Sequence, residues 1–571
     1  MTAAEWQLAV NATGLLQTFN AAGVIESSDT HVAQRLTQLA GEDDERVALA
    51  VALVVRALRG GSVCVDLRSV EKQVGAADLP WPEPSSWVTA VQASPLLGSP
   101  PVLRLYGDLL YLDRYWREEQ QVADDLLALL PASPTEAVPD ITRLFPTGYE
   151  EQRGAAEIAL SQGLTVLTGG PGTGKTTTVA RLLALFAEQA ELAGKAGLRI
   201  ALAAPTGKAA ARLQEAVQLE VDRLDPVDRQ RLTGLRATTL HRLLGSRPDT
   251  SSRFRHHRGS RLPHEVIVVD ETSMVSLTMM ARRLEAVRQG TRLLLVGDPD
   301  QLASVEAGAV LADLVDGLSG RSDARIAALK TSHRFGESIG KLASAIRDGD
   351  ANKAVEVLRD GGEHIEWVDA DNPAEDLRKV VLPHALRLRQ AAILGDDASA
   401  LAILDEHRLL CAHRRGPYGV QHWNRQVERW LTEATGEPIW SAWYPGRPVL
   451  VTANDYGLGL YNGDTGVTVR HDDVLRAVIA GAAEPHAFAT SRLADVDTMH
   501  AMTIHKSQGS QADAVTVLLP PEESRVLTRE LLYTAVTRAK SKVRLIGSEA
   551  QLRGAIARPA IRATGLRRRL Q

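Results

Sequence analysis

The sequence predicts an α/β protein: two parallel-sheet domains around a phosphate-binding loop, a small β insertion in the second, and a mainly helical N-terminal domain. Three observations carry this. Short apolar runs alternate with helical patterns from residue 141 onward, a glycine-rich loop ending in Lys-Thr stands between one such run and the next helix, and the texture changes to strands and turns between about 443 and 500. At 571 residues the chain is too long for one core. Its 44% hydrophobic and 24% charged residues match ordinary globular protein.

The first 130 residues read as helical, with Leu36, Leu39, Val47, Val51, Val54 and Leu58 at helical spacing and a closing helix-like run from Leu110 to Gln120. A proline-rich segment, 131–140, reads as a linker. Within 141–320, the runs 164–168, 199–204, 266–269 and 292–296 suit strands buried on both faces of a parallel sheet. Similar runs at 408–412, 514–519 and 543–546 mark a second sheet domain, 321–442 and 501–571. Its interruption, 443–500, carries Asn462-Gly463 between strand-like runs, a hairpin signal.

Net charge of −5 argues against a protein that coats nucleic acid, so any such site is a local groove. Two cysteines, Cys64 and Cys411, are too few for a disulfide framework or a cysteine zinc site, and they are expected reduced and buried. No run of eighteen apolar residues and no leader-like start occurs, which together with the cysteines points to the cytoplasm and away from the membrane.

Gly169-Gly170-Pro171-Gly172-Thr173-Gly174-Lys175-Thr176 follows a strand run and precedes a helical pattern, the context that a nucleotide-binding phosphate loop requires. Glycines let amides turn inward around phosphate oxygens, and the next helix directs its positive end at the same charge. Lys175 supplies a point charge near the β and γ phosphates, and the Thr176 hydroxyl suits Mg²⁺. Asp270 and Glu271 end a buried strand, where ligands bind in open parallel sheets; Asp270 suits the Mg²⁺ shell and Glu271 a general base. Gln301 closes a third strand-end motif, Gly297-Asp-Pro-Asp-Gln, where a neutral amide can sense the γ-phosphate.

Beyond these, Ala204-Pro-Thr-Gly-Lys-Ala-Ala-Ala-Arg-Leu, Thr238-Thr-Leu-His, Thr331-Ser-His-Arg-Phe, Thr503-Ile-His-Lys-Ser-Gln-Gly and Tyr533-Thr-Ala-Val-Thr-Arg appear in order. The set resembles the ordered motifs of superfamily 1 helicases, and in detail the RecD type of its 5′-to-3′ branch. The resemblance implies two RecA-like domains that sandwich ATP, with Arg334 and Arg538 reaching the γ-phosphate. It implies nucleotide contacts from Gln152, from Gly169 through Thr177, and from Gly509. It implies DNA contacts from Thr206, Lys208, Arg212, Thr239, His241, Thr503, His505 and Lys506, and an SH3-like form for the insertion. Gln511 and Ala512 depart from the family's acidic and aromatic residues at these positions.

The short head and the run Arg114-Tyr-Trp-Arg-Glu-Glu-Gln resemble the helicase subunit of RecBCD more than the longer stand-alone helicases. The expected activity is ATP-dependent DNA unwinding in double-strand break repair by homologous recombination. Expected partners are single-stranded DNA, duplex ends, and RecB-like and RecC-like subunits in a heterotrimer. Lys175, Asp270, Glu271 and Arg538 argue against a silent scaffold. No nuclease carboxylate cluster is evident. Trp81, Trp87, Tyr111, Tyr115 and Trp116 are candidate exposed anchors of a docking head. The basic stretch from Arg242 to Arg261 suits either a DNA channel or a solvated loop.

Overall fold

The computed structural model describes residues 8–131, 139–195, 197–247, 250–331, 337–370, 372–455, 457–481, 484–524 and 526–571. The first large sheet has the strand order Ile326–Leu329, Leu164–Gly169, Arg292–Gly297, Val266–Val269, Ile200–Ala204 and Ala237–Thr239, every pair parallel. Val266 through Val269 are all buried, as a central strand covered by helices on both faces must be. The second sheet, also parallel, runs Ile365–Val368, Ala539–Ile546, Ala512–Leu518, His407–Cys411 and Ala501–Thr503. The predicted runs match the sheet centres. Short flanking strands, such as Ala237–Thr239 and Ala501–Thr503, were not among them.

The insertion is a five-stranded antiparallel sheet ordered His486–Ala489, Val474–Ile479, Thr465–His471, Pro448–Val451 and Val496–Thr498. The hairpin expectation at Asn462-Gly463 holds: the flanking runs pair antiparallel, Val449 opposite Gly466, and the pair forms a tight turn closed by the Asp464 amide on the Tyr461 carbonyl. That pair lies in the long connection after Pro448–Val451, where the Gly463 amide donates to the Val451 carbonyl. A second turn, of two residues, is Asp472-Asp473, with φ of 47° and 62° between paired His471 and Val474. Aspartate tolerates this left-handed backbone better than most residues, as a type I′ turn requires.

The N-terminal region adds a three-stranded antiparallel sheet to its helices. The run from Leu110 is not all helix: Leu109–Leu112 is a strand and the helix is Asp113–Leu129. Gly107, at φ 60°, turns the chain so that Leu110 pairs with Leu105. The exposed-anchor expectation fails for two of its five residues. Trp87 and Tyr111 are 1% and 0% exposed and fill cores, Trp81 packs edge-on against Phe19 at 4.6 Å, and Tyr115 and Trp116 are half-buried. Cys64 and Cys411 are both free and buried. Among the described residues no helix is long and apolar enough to cross a membrane.

The head is bolted to the first sheet domain. The Thr278 hydroxyl donates to Glu118 at 2.6 Å and Gln121 donates to the Ala281 carbonyl at 3.0 Å, joining Asp113–Leu129 to Leu277–Ala286. Most of the proline-rich segment, 132–138, lies outside the described residues.

The C-terminal segment closes the assembly. After Glu549–Ala557, a helix of the second domain, the chain returns to the first, where the Arg562 guanidinium donates to the carbonyls of Ser304, Glu306 and Gly308. Ala563 pairs with Ser62 and Val63 of the head. Arg569 meets buried Glu119 at 3.0 Å, and Leu566 and Leu570 enter a core shared by the head and first domain. Leu570, 0% exposed, is thus part of what holds these units together. Leu570→Ala is expected to lower stability by about 2–5 kcal/mol. Thermal unfolding should show the loss, and limited proteolysis should release the head earlier than in the parent.

Candidate functional site

A cavity of about 650 Å³ opens between the two parallel-sheet domains at the C-terminal ends of the strands. Its floor is the turn from strand Leu164–Gly169 into helix Lys175–Leu192. Gly174 makes that turn with φ 83°, and a Cβ there would lie 3.7 Å from the Gln152 amide nitrogen. The Thr173 hydroxyl donates to the Gly170 carbonyl at 2.9 Å and fixes the loop. Lys175 Nζ folds over it, donating to the carbonyls of Gly169 (2.5 Å) and Gly170 (2.9 Å). These are donors that an anion in the loop would recruit.

Gln152, Pro171, Gly172, Gly174, Lys175, Thr176, Thr177, Asp270, Glu271, Gln301, Gly509 and Arg538 all line this cavity. Gly169, Gly170 and Thr173 instead face a smaller one of about 180 Å³ behind the loop. Gln511 reaches the main cavity, so an amide stands there in place of the family's carboxylate.

Asp270 follows strand Val266–Val269, and the Glu271 amide donates to its carboxylate at 2.9 Å. Burial, reinforced by the neighbouring Glu271 charge, lifts Asp270 to about 6, while Lys175 and Arg212 oppose the rise. Glu271 sits in the left-handed region at φ 49°, which costs a side-chain-bearing residue about 1–3 kcal/mol. The chain bears this at the point where strand gives way to the short helix Thr272–Met274.

The two domains meet in a buried ring of hydrogen bonds. Arg538 Nη2, from the second domain, donates to Gln301 Oε1 at 2.7 Å. Gln301 Nε2 donates to Asp298 Oδ2 at 3.0 Å, and the Tyr533 hydroxyl, again from the second domain, donates to the same oxygen at 3.0 Å. The next residue is gripped on both sides: Leu302 N–H donates to Thr534 Oγ1 and its carbonyl accepts from Gln508. Burial pushes Asp298 up and Arg538 down from their ordinary values, with Lys175 opposing the first shift and Glu271 the second. Arg334 lies outside the described residues.

Asp298, Tyr533, Tyr149 and Arg181 also shape this site, beyond the residues expected from the sequence. Asp298 and Tyr533 stand inside quoted motifs, so the signal was present. Arg181 lies over Tyr149 at 4.5 Å and donates to the Leu144 carbonyl, building a flat wall beside Gln152 that only the fold assembles.

The residues assigned to DNA divide. Thr206, Thr239 and Thr503 each stand where a strand gives way to a helix, and each hydroxyl accepts an amide of that first turn. Lys208 Nζ donates to Thr465 at 3.3 Å and Lys506 Nζ to Asn462 at 2.7 Å, so both meet the inserted sheet. Burial pulls Lys208 down to about 8. Tyr461 presses on Gly207, where a Cβ would lie 2.6 Å from its ring. His241 packs beside Phe254 at 5.9 Å, and burial lowers both His241 and His505. Arg212 also lines the main cavity, where its charge acts on Asp270 and Arg538 as well as on Lys208. Of the basic stretch, Arg258 pairs with Asp125 and Arg255 packs over Gly245 in the two-stranded ribbon Ser246–Arg247 and Thr250–Phe254.

Three family profiles match the chain: the RecBCD enzyme subunit RecD N-terminal domain at residues 21–111, an AAA domain at 147–370, and a UvrD-like helicase C-terminal domain at 498–546. The chain is 75% identical to the RecBCD enzyme subunit RecD of Mycolicibacterium smegmatis, across 98% of this chain and 99% of that protein. It is 68% identical to the protein of the same name from Mycobacterium tuberculosis H37Rv, across 100% and 99%. Among solved structures, Bacteroides Pif1 helicase in complex with ADP-AlF3 and ssDNA is similar at a TM-score of 0.39, with 18% identity over 69% of this chain and 91% of that one. On the full-length identity to the two mycobacterial proteins, the chain belongs to the RecD family of RecBCD enzyme subunits.

Proposed function

We propose that this chain is the ATP-driven, 5′-to-3′ single-stranded DNA translocase and helicase subunit of a RecBCD-type complex that processes double-strand ends for homologous recombination repair. The carrying observation is the buried ring in which Gln301 of one domain is held by Arg538 of the other at the mouth of the phosphate loop. A guanidinium that crosses a cleft stabilises transition-state charge only while the cleft is closed, which ties hydrolysis to domain motion.

In this reading Lys175 leaves the Gly169 and Gly170 carbonyls for the β and γ phosphates of ATP. Glu271 positions the attacking water as base, Gln301 senses the γ-phosphate, Arg538 stabilises the departing charge, and Arg334 carries the same role by motif. Gln152 reads adenine beside the wall of Tyr149 and Arg181. The residues present fit a Mg²⁺ ion: Thr176 and Asp270 line the phosphate end of one cavity. Among the described residues no group of three or more His, Cys, Asp or Glu side chains could hold a metal, so phosphate and water would complete the shell. When bound, the ion neutralises charge on the phosphates.

Thr206, Lys208, Thr239, His241, Thr503, His505 and Lys506 grip the single strand along the strand ends of both domains, beside the inserted sheet. The chain assembles with RecB-like and RecC-like subunits in the cytoplasm, and any strand cutting belongs to another subunit. Docking uses the free face of the head, where Val32 and Leu39 are 40% and 67% exposed, one heptad apart on helix Ser27–Ala40.

Lys175→Ala should abolish ATP hydrolysis with the fold intact by circular dichroism. Arg538→Ala should keep nucleotide binding and lower kcat at least about a hundredfold in single-turnover assays; hydrolysis at the parental rate would refute its role. Single strands of any sequence should stimulate the ATPase, and log K for binding should fall with log salt by about 0.7 per phosphate contacted. Strong stimulation by blunt duplex alone would overturn the translocase reading. Val32→Asp with Leu39→Asp should abolish co-purification with the two large subunits while DNA-stimulated hydrolysis persists.

A further inference from the structure

We propose that the single-stranded track continues beyond the motif residues onto the outer face of helix Val420–Thr435, along a strip formed by Arg414, Arg415, His422, Arg425 and Arg429 and ending at Trp440. The proposal rests on the DNA-translocase reading and extends its surface to residues no motif contains.

The strip is continuous with the motif surface. Arg414 stands 3.8 Å from Asp497, and both charges act on Lys506. The Arg414 carbonyl accepts the Gln421 amide, which seats the loop on the first turn of the helix. From there His422, Arg425 and Arg429 recur at spacings of three and four, one face of a helix, spanning about 10 Å. Burial, with the Arg429 and Arg425 charges, holds His422 below its ordinary value, so its imidazole joins this face as a neutral group close to both cations. His422, Arg425 and Arg429 share an open groove of about 580 Å³ with Ile439, and the next residue, Trp440, is 90% exposed.

Charge complementarity selects the occupant. Ion pairs are plentiful on this protein, yet among the described residues no carboxylate lies within salt-bridge reach of Arg415, Arg425 or Arg429. One carboxylate, Glu428, lines the groove beside Arg425 but accepts from the Tyr444 hydroxyl, and Glu433 is held by Arg378 at 3.0 Å. A row of arginines in excess over carboxylates, with an exposed aromatic at its end, matches a polyanion whose bases can stack, the combination that holds single strands without sequence preference. A protein partner would find little apolar area here beyond Trp440 and Ile439.

The test measures binding of the full chain to mixed-sequence single strands of about 6 and about 20 nucleotides by fluorescence anisotropy across a salt series. Arg425→Ala with Arg429→Ala should leave the short strand unaffected. On the long strand it should weaken binding and reduce the salt slope by about 1.4, two phosphates' worth. Trp440→Ala should weaken the long strand alone, by about tenfold. Arg425→Lys with Arg429→Lys should restore the slope. Parental affinity and slope on the long strand in the alanine variants would overturn the proposal, as would equal loss on both lengths. Normal DNA binding combined with failure to assemble with the large subunits would assign the strip to a protein instead. If the parent binds neither length, the translocase reading itself fails, a result distinct from any of these.

Discussion

The contact on which the motor arrangement depends is the bond from Arg538 to Gln301. Both side chains are buried, and a guanidinium withdrawn from water must be paired or its desolvation destabilises the fold. Thr534, Ser510 and Thr537 of its own domain satisfy part of it, and Gln301 of the other domain takes the remaining Nη2 bond, so separating the domains breaks that bond and admits water to both groups. Asp298 and Tyr533 repeat the logic one bond further on, and the gripped backbone of Leu302 fixes the loop that carries Gln301. The side chains at the mouth of the cavity and the domain interface are therefore one hydrogen-bonded structure.

The opposite face of the cleft uses a repeated local device. Three strand ends, at Thr206, Thr239 and Thr503, finish with a threonine whose hydroxyl satisfies the amides of the following turn. Two lie on one sheet and one on the other, so the same chemistry is presented by both lobes to whatever lies along them. The inserted sheet reaches this surface through Tyr461, Asn462 and Thr465, touching Gly207, Lys506 and Lys208. It therefore spans both lobes although it is threaded into only one.

The sheet centres and the phosphate loop were legible because their signals are local: an apolar run such as Val266 to Val269, or glycines followed by Lys175. Short edge strands were not, because Ala237–Thr239 and Ala501–Thr503 owe their pairing to neighbours far away in sequence. Trp87 and Tyr111 were misjudged for a related reason, since no single-residue property separates an aromatic anchor from a core aromatic. Arg212 was grouped with Lys208 because they share a helix. That helix, Gly207–Val221, borders the main cavity, so Arg212 lines the cavity while Lys208 turns to Thr465 of the inserted sheet. Asn462-Gly463 was legible because the residue pair of a tight turn stands between two runs that pair antiparallel, whereas the Asp472-Asp473 turn lacks the glycine that marks such pairs.

The return of the chain at Arg562 has a mechanical meaning. Polypeptide passes from the first lobe to the second between Leu329 and Glu337, and comes back between Ala560 and Arg562. Two crossings make the lobes a closed linkage, like a case on two pins. The returning segment bonds to the first lobe through Arg562 and to the head through Ala563 and Arg569, so one short stretch of chain ties three units at a single place.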